Sequence, residues 1–81
     1  MMAVKDVVGK IEEIDQKILD LLEQRVALYQ QGIDEGEETE QQLEDYDNEG
    51  SWEQEADVRG LNVVRLGKIH REVQALCRDS G

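Results

Sequence analysis

The stretch IEEIDQKILDLLEQR, residues 11–25, carries the strongest structural signal in the chain. Apolar residues recur at alternating spacings of three and four, the period of one face of an α-helix. The same stripe continues beyond both ends of the stretch, and its members are Val4, Val7, Ile11, Ile14, Ile18, Leu21 and Leu28. We therefore predict a first helix from about residue 3 to residue 31, with Gly32 and Gly36 as its stop signals.

A helix of this length is longer than the domain that would contain it. At 1.5 Å per residue it spans roughly 43 Å. A compact chain of this size has a radius of gyration of about 12 Å and a diameter near 30 Å. A second copy lying alongside would cover the overhang, so we predict a homodimer.

A similar apolar face recurs near the end of the chain. Its members are Val63, Leu66, Ile69, Val73 and Leu76, with His70 and Cys77 at the edge. The sequence Ser51-Trp-Glu-Gln54 is typical of a capping box at a helix start. We predict a helix from about residue 52 to residue 78. Gly60 and Gly67 weaken it by about 1 kcal/mol each, and a break near Gly60 is the alternative.

The middle of the chain is strongly acidic. Residues 34–57 hold twelve acidic residues and no basic one, while the whole chain of 81 residues has a net charge of −11. From Glu37 to Tyr46 the only apolar anchors are Leu43 and Tyr46, so residues 34–50 are predicted to be a short, poorly anchored helix or a mobile acidic loop. The chain is thus predicted to be all-α, with three helices (long, short, long) in a single domain over residues 1–81.

Composition excludes several classes of protein. The acidic balance argues against nucleic-acid binding, which needs clustered lysine and arginine. No apolar run approaches the roughly 20 residues of a membrane span, and the N-terminus lacks the apolar core of a signal peptide. The single cysteine, Cys77, excludes an internal disulfide and a zinc site built from cysteines. We expect a cytoplasmic protein that neither contacts membranes nor uses a cofactor.

Arg25 is the most informative position because it interrupts the apolar stripe of the first helix. A charge on a core face must be paired or must face a polar cavity. One interpretation is an ion pair with an acidic residue, or a guanidinium that reaches the surface. The other is an arginine that binds an anion inside a helical bundle, since a planar guanidinium suits carboxylates.

Residues 11–25 resemble the opening helix of the all-helical (type II) chorismate mutases, whose motif is approximately I-x-x-I/L-D-x-x-I/L-L-x-L-L-x-x-R. The segment KIHREV, residues 68–73, is similar to a segment of that family's third helix, and Tyr46-Asp47 is similar to the pair before its short second helix. The resemblance implies a three-helix protomer in an intertwined homodimer with two shared active sites. It also implies the rearrangement of chorismate to prephenate, without a cofactor.

The resemblance assigns Arg25 to the binding of a substrate carboxylate. The family's other cationic positions are not matched, because its second helix-one arginine falls on Val8 and residues 26–58 contain no base. Arg59, Arg65 or Arg71 would then have to supply the missing positive charge. For a small dicarboxylate we predict Arg25, Arg65 and Arg71 as the binding residues. The predicted function is that of a chorismate mutase-like protein with a degenerate active site. The alternative is a non-catalytic helical dimer whose acidic segment binds a basic partner or a cation.

A second pattern lies in the acidic middle. Asp45, Asp47, Glu49 and Glu53 occupy positions 1, 3, 5 and 9 of an EF-hand-like loop, and Gly50 occupies position 6. Position 12, where a bidentate glutamate is required, is Ala56. We interpret this stretch as a solvated acidic loop and predict no metal site, with divalent cation binding as the alternative. His70 and Cys77 are interpreted as edge-of-core residues, since two residues do not make a metal site.

Overall fold

The computed structural model describes residues 3–35 and 40–80. These residues form four α-helices, which are α1 (Val4–Asp34), α2 (Glu40–Tyr46), α3 (Glu49–Arg59) and α4 (Val63–Asp79). The prediction of an all-α chain is confirmed. None of the described helices combines the length and the hydropathy needed to cross a bilayer.

Helix α1 confirms the long first helix and runs three residues further than predicted. Gly32 lies inside the helix, and Gly36 lies outside the described residues. The backbone N–H of Glu35 caps the helix by donating to the carbonyl oxygens of Gln31 and Ile33. A Cβ placed on Gly32 would lie 3.6 Å from a methyl carbon of Leu43, so this glycine sits against α2. Packing at this point outweighs the low helix propensity of glycine.

Of the two alternatives for residues 52–78, the structure shows the break near Gly60 and not the single helix, because the chain turns sharply at this residue. This residue adopts the left-handed conformation, with φ +72° and ψ +25°. The backbone N–H of Leu61 then donates to the carbonyl oxygen of Ala56 at 2.8 Å, which closes the end of α3. Asn62 caps the start of α4, its side chain accepting from the backbone N–H of Arg65 at 2.9 Å. Glycine here ends one helix and allows the next to start.

Helices α3 and α4 fold back on each other as an antiparallel hairpin. Glu49 at the start of α3 contacts Arg71 near the middle of α4, and Trp52 packs against His70. A Cβ added to Gly67 would lie 3.3 Å from a carboxylate oxygen of Glu53. The absence of a side chain at Gly67 thus lets the two helices approach closely.

Helix α3 also begins earlier than predicted. Asn48 is the N-cap, its side-chain oxygen accepting from the backbone N–H of Gly50 at 2.7 Å. The predicted capping box at Ser51 is therefore not used, because Ser51 already lies inside α3. Within the acidic segment, α2 provides the short helix, and residues 36–39 lie outside the described residues.

The core lies against the C-terminal half of α1. Tyr29, Val73 and Cys77 form the buried cluster. The partly buried residues packed against this cluster are Leu22, Val26, Ile33, Leu43 and Trp52. The molecule is extended, with principal dimensions of 52 × 24 × 16 Å. Helices α2, α3 and α4 therefore cover only part of α1.

The N-terminal half of α1 projects beyond the core, as its length predicted. We define the N-terminal stripe as the apolar residues of this half that share one face. Its members are Val4, Val7, Val8, Ile11, Ile14, Ile18 and Leu21. These side chains are between 41% and 81% exposed. A single chain leaves the stripe uncovered.

Candidate functional site

Four polar side chains meet where α1, α4 and the α2–α3 turn converge, and we call them the Arg25 network. Arg25 donates from Nη2 to Oδ1 of Asp47 and from Nη1 to Sγ of Cys77, the latter at 3.0 Å. Nε2 of His70 lies 2.8 Å from the same Oδ1 of Asp47. The guanidinium carbon of Arg25 also lies 5.8 Å from the ring centroid of Trp52, within cation–π range.

The two-residue link between α2 and α3 places Asp47 in this network. The backbone N–H of Asp47 donates to the carbonyl oxygen of Leu43 at 2.9 Å, which extends the last turn of α2. The side-chain amide of Gln74 donates to the carbonyl oxygen of Asp47 at 3.2 Å, so α4 anchors the link. On the other side, Gln30 of α1 donates to the carbonyl oxygen of Cys77 at 2.7 Å. All three elements are thus tied together around the network.

The network is largely shielded from solvent. The side chains of Arg25, Asp47 and His70 are 27%, 11% and 2% exposed. Burial disfavours the charge on Arg25, but the hydrogen bonds to Asp47 and Cys77 outweigh burial and raise the pKa of the guanidinium. Burial alone would likewise raise the pKa of Asp47, but the hydrogen bonds from Arg25 and His70 hold that pKa below the ordinary value of an aspartate. The pair is therefore ionised at neutral pH.

The chemistry open to these groups is limited. Cys77 is fully buried, and its sulfur accepts from Arg25. Among the described residues, no hydrogen bond joins Cys77 to His70, which faces Asp47 instead. Oδ2 of Asp47 and Nδ1 of His70 are buried without a hydrogen-bond partner in the described part of the chain. The arrangement provides a partly buried ion pair between Arg25 and Asp47, with the side chains of His70 and Cys77 beside it.

The three arginines predicted to bind substrate do not come together. Arg25 lines a cavity of about 320 Å³ between α1 and α2. Arg65 lines an apolar groove of about 690 Å³ along α4. Arg71 lines a polar cavity of about 430 Å³ beside the α2–α3 turn and donates from Nε to Glu49 at 2.6 Å. No cavity of this set holds two of the three.

The four EF-hand-like carboxylates are likewise spread over different elements. Asp45 belongs to α2, Glu49 and Glu53 belong to α3, and Asp47 is engaged by Arg25. An EF-hand loop must stay non-helical through its ninth position, here Glu53. This segment is already helical from Glu49, the fifth position. In residues 3–35 and 40–80, no group of three or more metal-ligating side chains is placed to hold a metal ion.

Several acidic residues of the middle segment are neutralised within the chain. Glu49 pairs with Arg71, Glu44 with Arg78 at 3.4 Å, and Glu55 with Arg59 at 3.3 Å. Arginines at the end of α3 and in α4 thus offset part of the charge of the acidic segment.

The role of Asp47 is the feature that sequence reasoning missed. The position of Arg25 in the stripe predicts an acidic partner, but twelve candidate acids follow within residues 34–57. Only the place of the α2–α3 turn selects Asp47, and that turn depends on the cap at Asn48. The one local signal in the sequence is that Asn48, a residue type that favours turns and helix N-caps, directly follows Asp47.

Comparison with known proteins leaves the family open. No protein-family model, no curated protein and no solved structure matches the chain. The similarity to chorismate mutases therefore rests on the short motifs in residues 11–25, 46–47 and 68–73. The chain is a small all-helical protein without a family assignment.

Proposed function

We propose that the protein acts by binding other molecules through its helical surfaces and that it is not a catalyst. The observation that carries this proposal is the pairing of Arg25 with Asp47. The guanidinium that would bind a substrate carboxylate already holds an internal one.

An anionic substrate would have to compete with this internal carboxylate. Asp47 is held by Arg25 and His70 and by the backbone contact to Gln74. Hydrogen bonds to charged groups contribute about 1.5–3 kcal/mol each, so displacing Asp47 carries a substantial penalty. The two other candidate arginines, Arg65 and Arg71, line different cavities and would not contact an anion bound at Arg25.

Two surfaces are suited to binding. The N-terminal stripe is a continuous apolar face on a helix, of the kind that packs against another helix. The acidic segment, residues 34–57, keeps a negative charge that internal ion pairs offset only in part, and it suits a basic partner or a cation.

A second candidate function is chorismate mutase activity, and one observation favours it. The side chain of Arg25 keeps 27% exposure and borders a cavity that Tyr46 and Leu28 also line. A small dicarboxylate that displaced Asp47 would find an arginine and a phenol beside an apolar wall.

Thermal unfolding with and without anions separates the two functions. The protein is heated alone and with millimolar chorismate, prephenate or malate, and prephenate formation is assayed at high protein concentration. We expect no rise in melting temperature and no prephenate. A ligand at 100 times its dissociation constant would stabilise the fold by about 2.7 kcal/mol, which such a measurement readily detects.

The variant Arg25→Met assigns any positive result to the proposed site, and Arg78→Met serves as the control. Arg78 pairs with Glu44 and Asp79, its side chain is 42% exposed, and it is not among the arginines predicted to bind substrate. Stabilisation by chorismate that Arg25→Met abolishes and Arg78→Met retains would refute the non-catalytic proposal.

A further inference from the structure

The N-terminal stripe is the largest feature of the molecule that neither the core nor the Arg25 network explains. It spans residues 4–21, or about 27 Å of helix. Its seven side chains, at roughly 100 Å² each, present about 700 Å² per copy, compared with the about 800 Å² that each partner contributes to a stable interface. The stripe is therefore of the size that an interface requires.

The stripe also needs cover for α1 to persist as a helix. Most helical stability in proteins comes from the packing of an amphipathic face and not from intrinsic helix propensity. Residues 4–18 of α1 gain no such packing from α2, α3 or α4, since their apolar side chains are exposed. A partner that accompanies every copy of the chain meets this need directly.

The stripe is complementary to itself. In the antiparallel arrangement Ile11 lies opposite the partner's Ile14, and Val7 lies opposite the partner's Ile18. Each apolar layer of one helix thus meets an apolar layer of the other. The flanks carry both signs of charge, with three basic and five acidic residues among residues 1–21. Amphipathic helices that lie on membranes instead have a basic polar face.

Charge also decides the direction of the pairing. Residues 22–81 carry nine of the eleven net negative charges, because residues 1–21 carry only two. Parallel helices would place these two acidic parts side by side, at about 8–10 Å. Antiparallel helices place their nearest ends about 28 Å apart. That separation exceeds the screening length of about 8 Å at physiological salt. Antiparallel pairing brings Lys10 near the partner's Lys17 at the solvent edge, but the repulsion between these two screened charges is smaller than the repulsion that separating the acidic parts removes.

We infer that the N-terminal stripe binds the same stripe of a second copy, with the two α1 helices antiparallel about a twofold axis between Ile11 and Ile14. This inference rests on the proposed function only in taking the stripe as a binding surface. Both stripes are buried at once, and the acidic segments lie at opposite ends of the dimer.

The oligomeric state of two matched variants tests the interface. Ile14 and Leu19 are 54% and 57% exposed on the same helix, but Leu19 lies off the stripe. Analytical ultracentrifugation of the wild type at 10–100 μM is expected to show a species of twice the 9.3 kDa chain mass. Ile14→Glu is expected to weaken association more than about 100-fold, because the change occurs twice in each dimer. Leu19→Glu is expected to leave the dimer intact.

Disulfide formation tests the direction. Cys77 stays in every variant because it is buried. Val7→Cys and Ile18→Cys are oxidised separately and as an equimolar mixture. The mixture is expected to form covalent dimers at least 10 times faster than either variant alone. Faster crosslinking within either single variant would show a parallel pairing and overturn the inference.

Failure of this inference differs from failure of the proposed function. A wild type that is monomeric at 100 μM, or a Leu19→Glu variant as monomeric as Ile14→Glu, would overturn the self-pairing. Neither result bears on anion binding at Arg25. Stabilisation by chorismate would overturn the non-catalytic proposal whatever the oligomeric state.

Discussion

Arg25 shows how one polar residue on a core face organises its surroundings. Its guanidinium reaches from α1 to the α2–α3 turn and to α4, so three elements meet at a single side chain. A partly buried charge of this kind must keep its partner, because the residue left behind would be ionised and poorly solvated.

Arg25→Met is therefore expected to destabilise the fold without any ligand present. The variant leaves Asp47 with His70 alone, and we expect a loss of about 1–3 kcal/mol in the free energy of unfolding by urea. The double variant Arg25→Met/Asp47→Asn should recover part of this loss. Arg59→Met, at an exposed pair, should change stability by less than about 0.5 kcal/mol. Equal effects at Arg25 and Arg59 would contradict a structural role for the network.

Asp47 makes the stability of the fold depend on pH. Its pKa is lowered in the folded protein, so its contribution to stability is present in full above about pH 4, the ordinary range of aspartate, and is lost as pH falls through the folded value. The difference in unfolding free energy between wild type and Asp47→Asn should therefore be constant near neutral pH and shrink towards pH 2. Glu55→Gln provides the comparison, with a small difference throughout. A wild-type advantage that grew at low pH would contradict the ion pair.

For single residues, the sequence predicts that Arg25 needs an acidic residue to pair with, but it does not identify that residue. The interruption of the stripe at Arg25 is visible in the sequence, because the period calls for an apolar residue there. Choosing Asp47 among twelve acids requires the three-dimensional path of the chain. That path depends on tertiary contacts such as the one between Gln74 and the backbone of Asp47.

The turn between α3 and α4 depends on one backbone conformation. Gly60 has φ +72°, and a Cβ there would meet nothing within 4 Å. The penalty for Gly60→Ala is therefore backbone strain alone, about 1–2 kcal/mol. Gly9, on the exposed part of α1, also has open space around it, but it is helical. Gly9→Ala should stabilise the protein by up to about 1 kcal/mol.

The same substitution should thus have opposite signs at the two positions. Chemical unfolding of the two variants at equal protein concentration measures both. A Gly60→Ala variant as stable as wild type would mean that residues 60–62 form a different turn in solution.

Elements with strong periodicity were predicted well, whereas at Gly60 the sequence left a single helix and a break as alternatives. Helix α1 has an apolar residue on one face in every turn, so its length follows from the pattern. The segment 52–78 shows nearly the same pattern, yet it is two helices. Periodicity does not register that Gly60 takes a left-handed conformation. Asparagine and serine are equally good caps in isolation, and the earlier start at Asn48 places Glu49 in the first turn of α3, where it contacts Arg71 of α4.

The whole molecule carries a net charge of −11, and a dimer would carry twice as much. Association must overcome this repulsion, which salt screens. We expect the dissociation constant of the proposed dimer to fall as sodium chloride rises from about 0.02 to 0.5 M. Sedimentation equilibrium at each salt concentration measures this constant. An interface held by ion pairs would respond in the opposite direction, so weaker association at high salt would argue against an apolar stripe.

The hairpin turn at Gly60 has a consequence for the order of folding. Contacts within the hairpin join residues up to 22 positions apart, as between Glu49 and Arg71, whereas Arg25 and Cys77 are 52 positions apart. Closing the longer loop loses about 0.8 kcal/mol more chain entropy. The hairpin should therefore form first and serve as the surface on which α1 docks.

In stopped-flow kinetics, Leu66→Ala in the hairpin should chiefly slow folding, while Val26→Ala in α1 should chiefly speed unfolding.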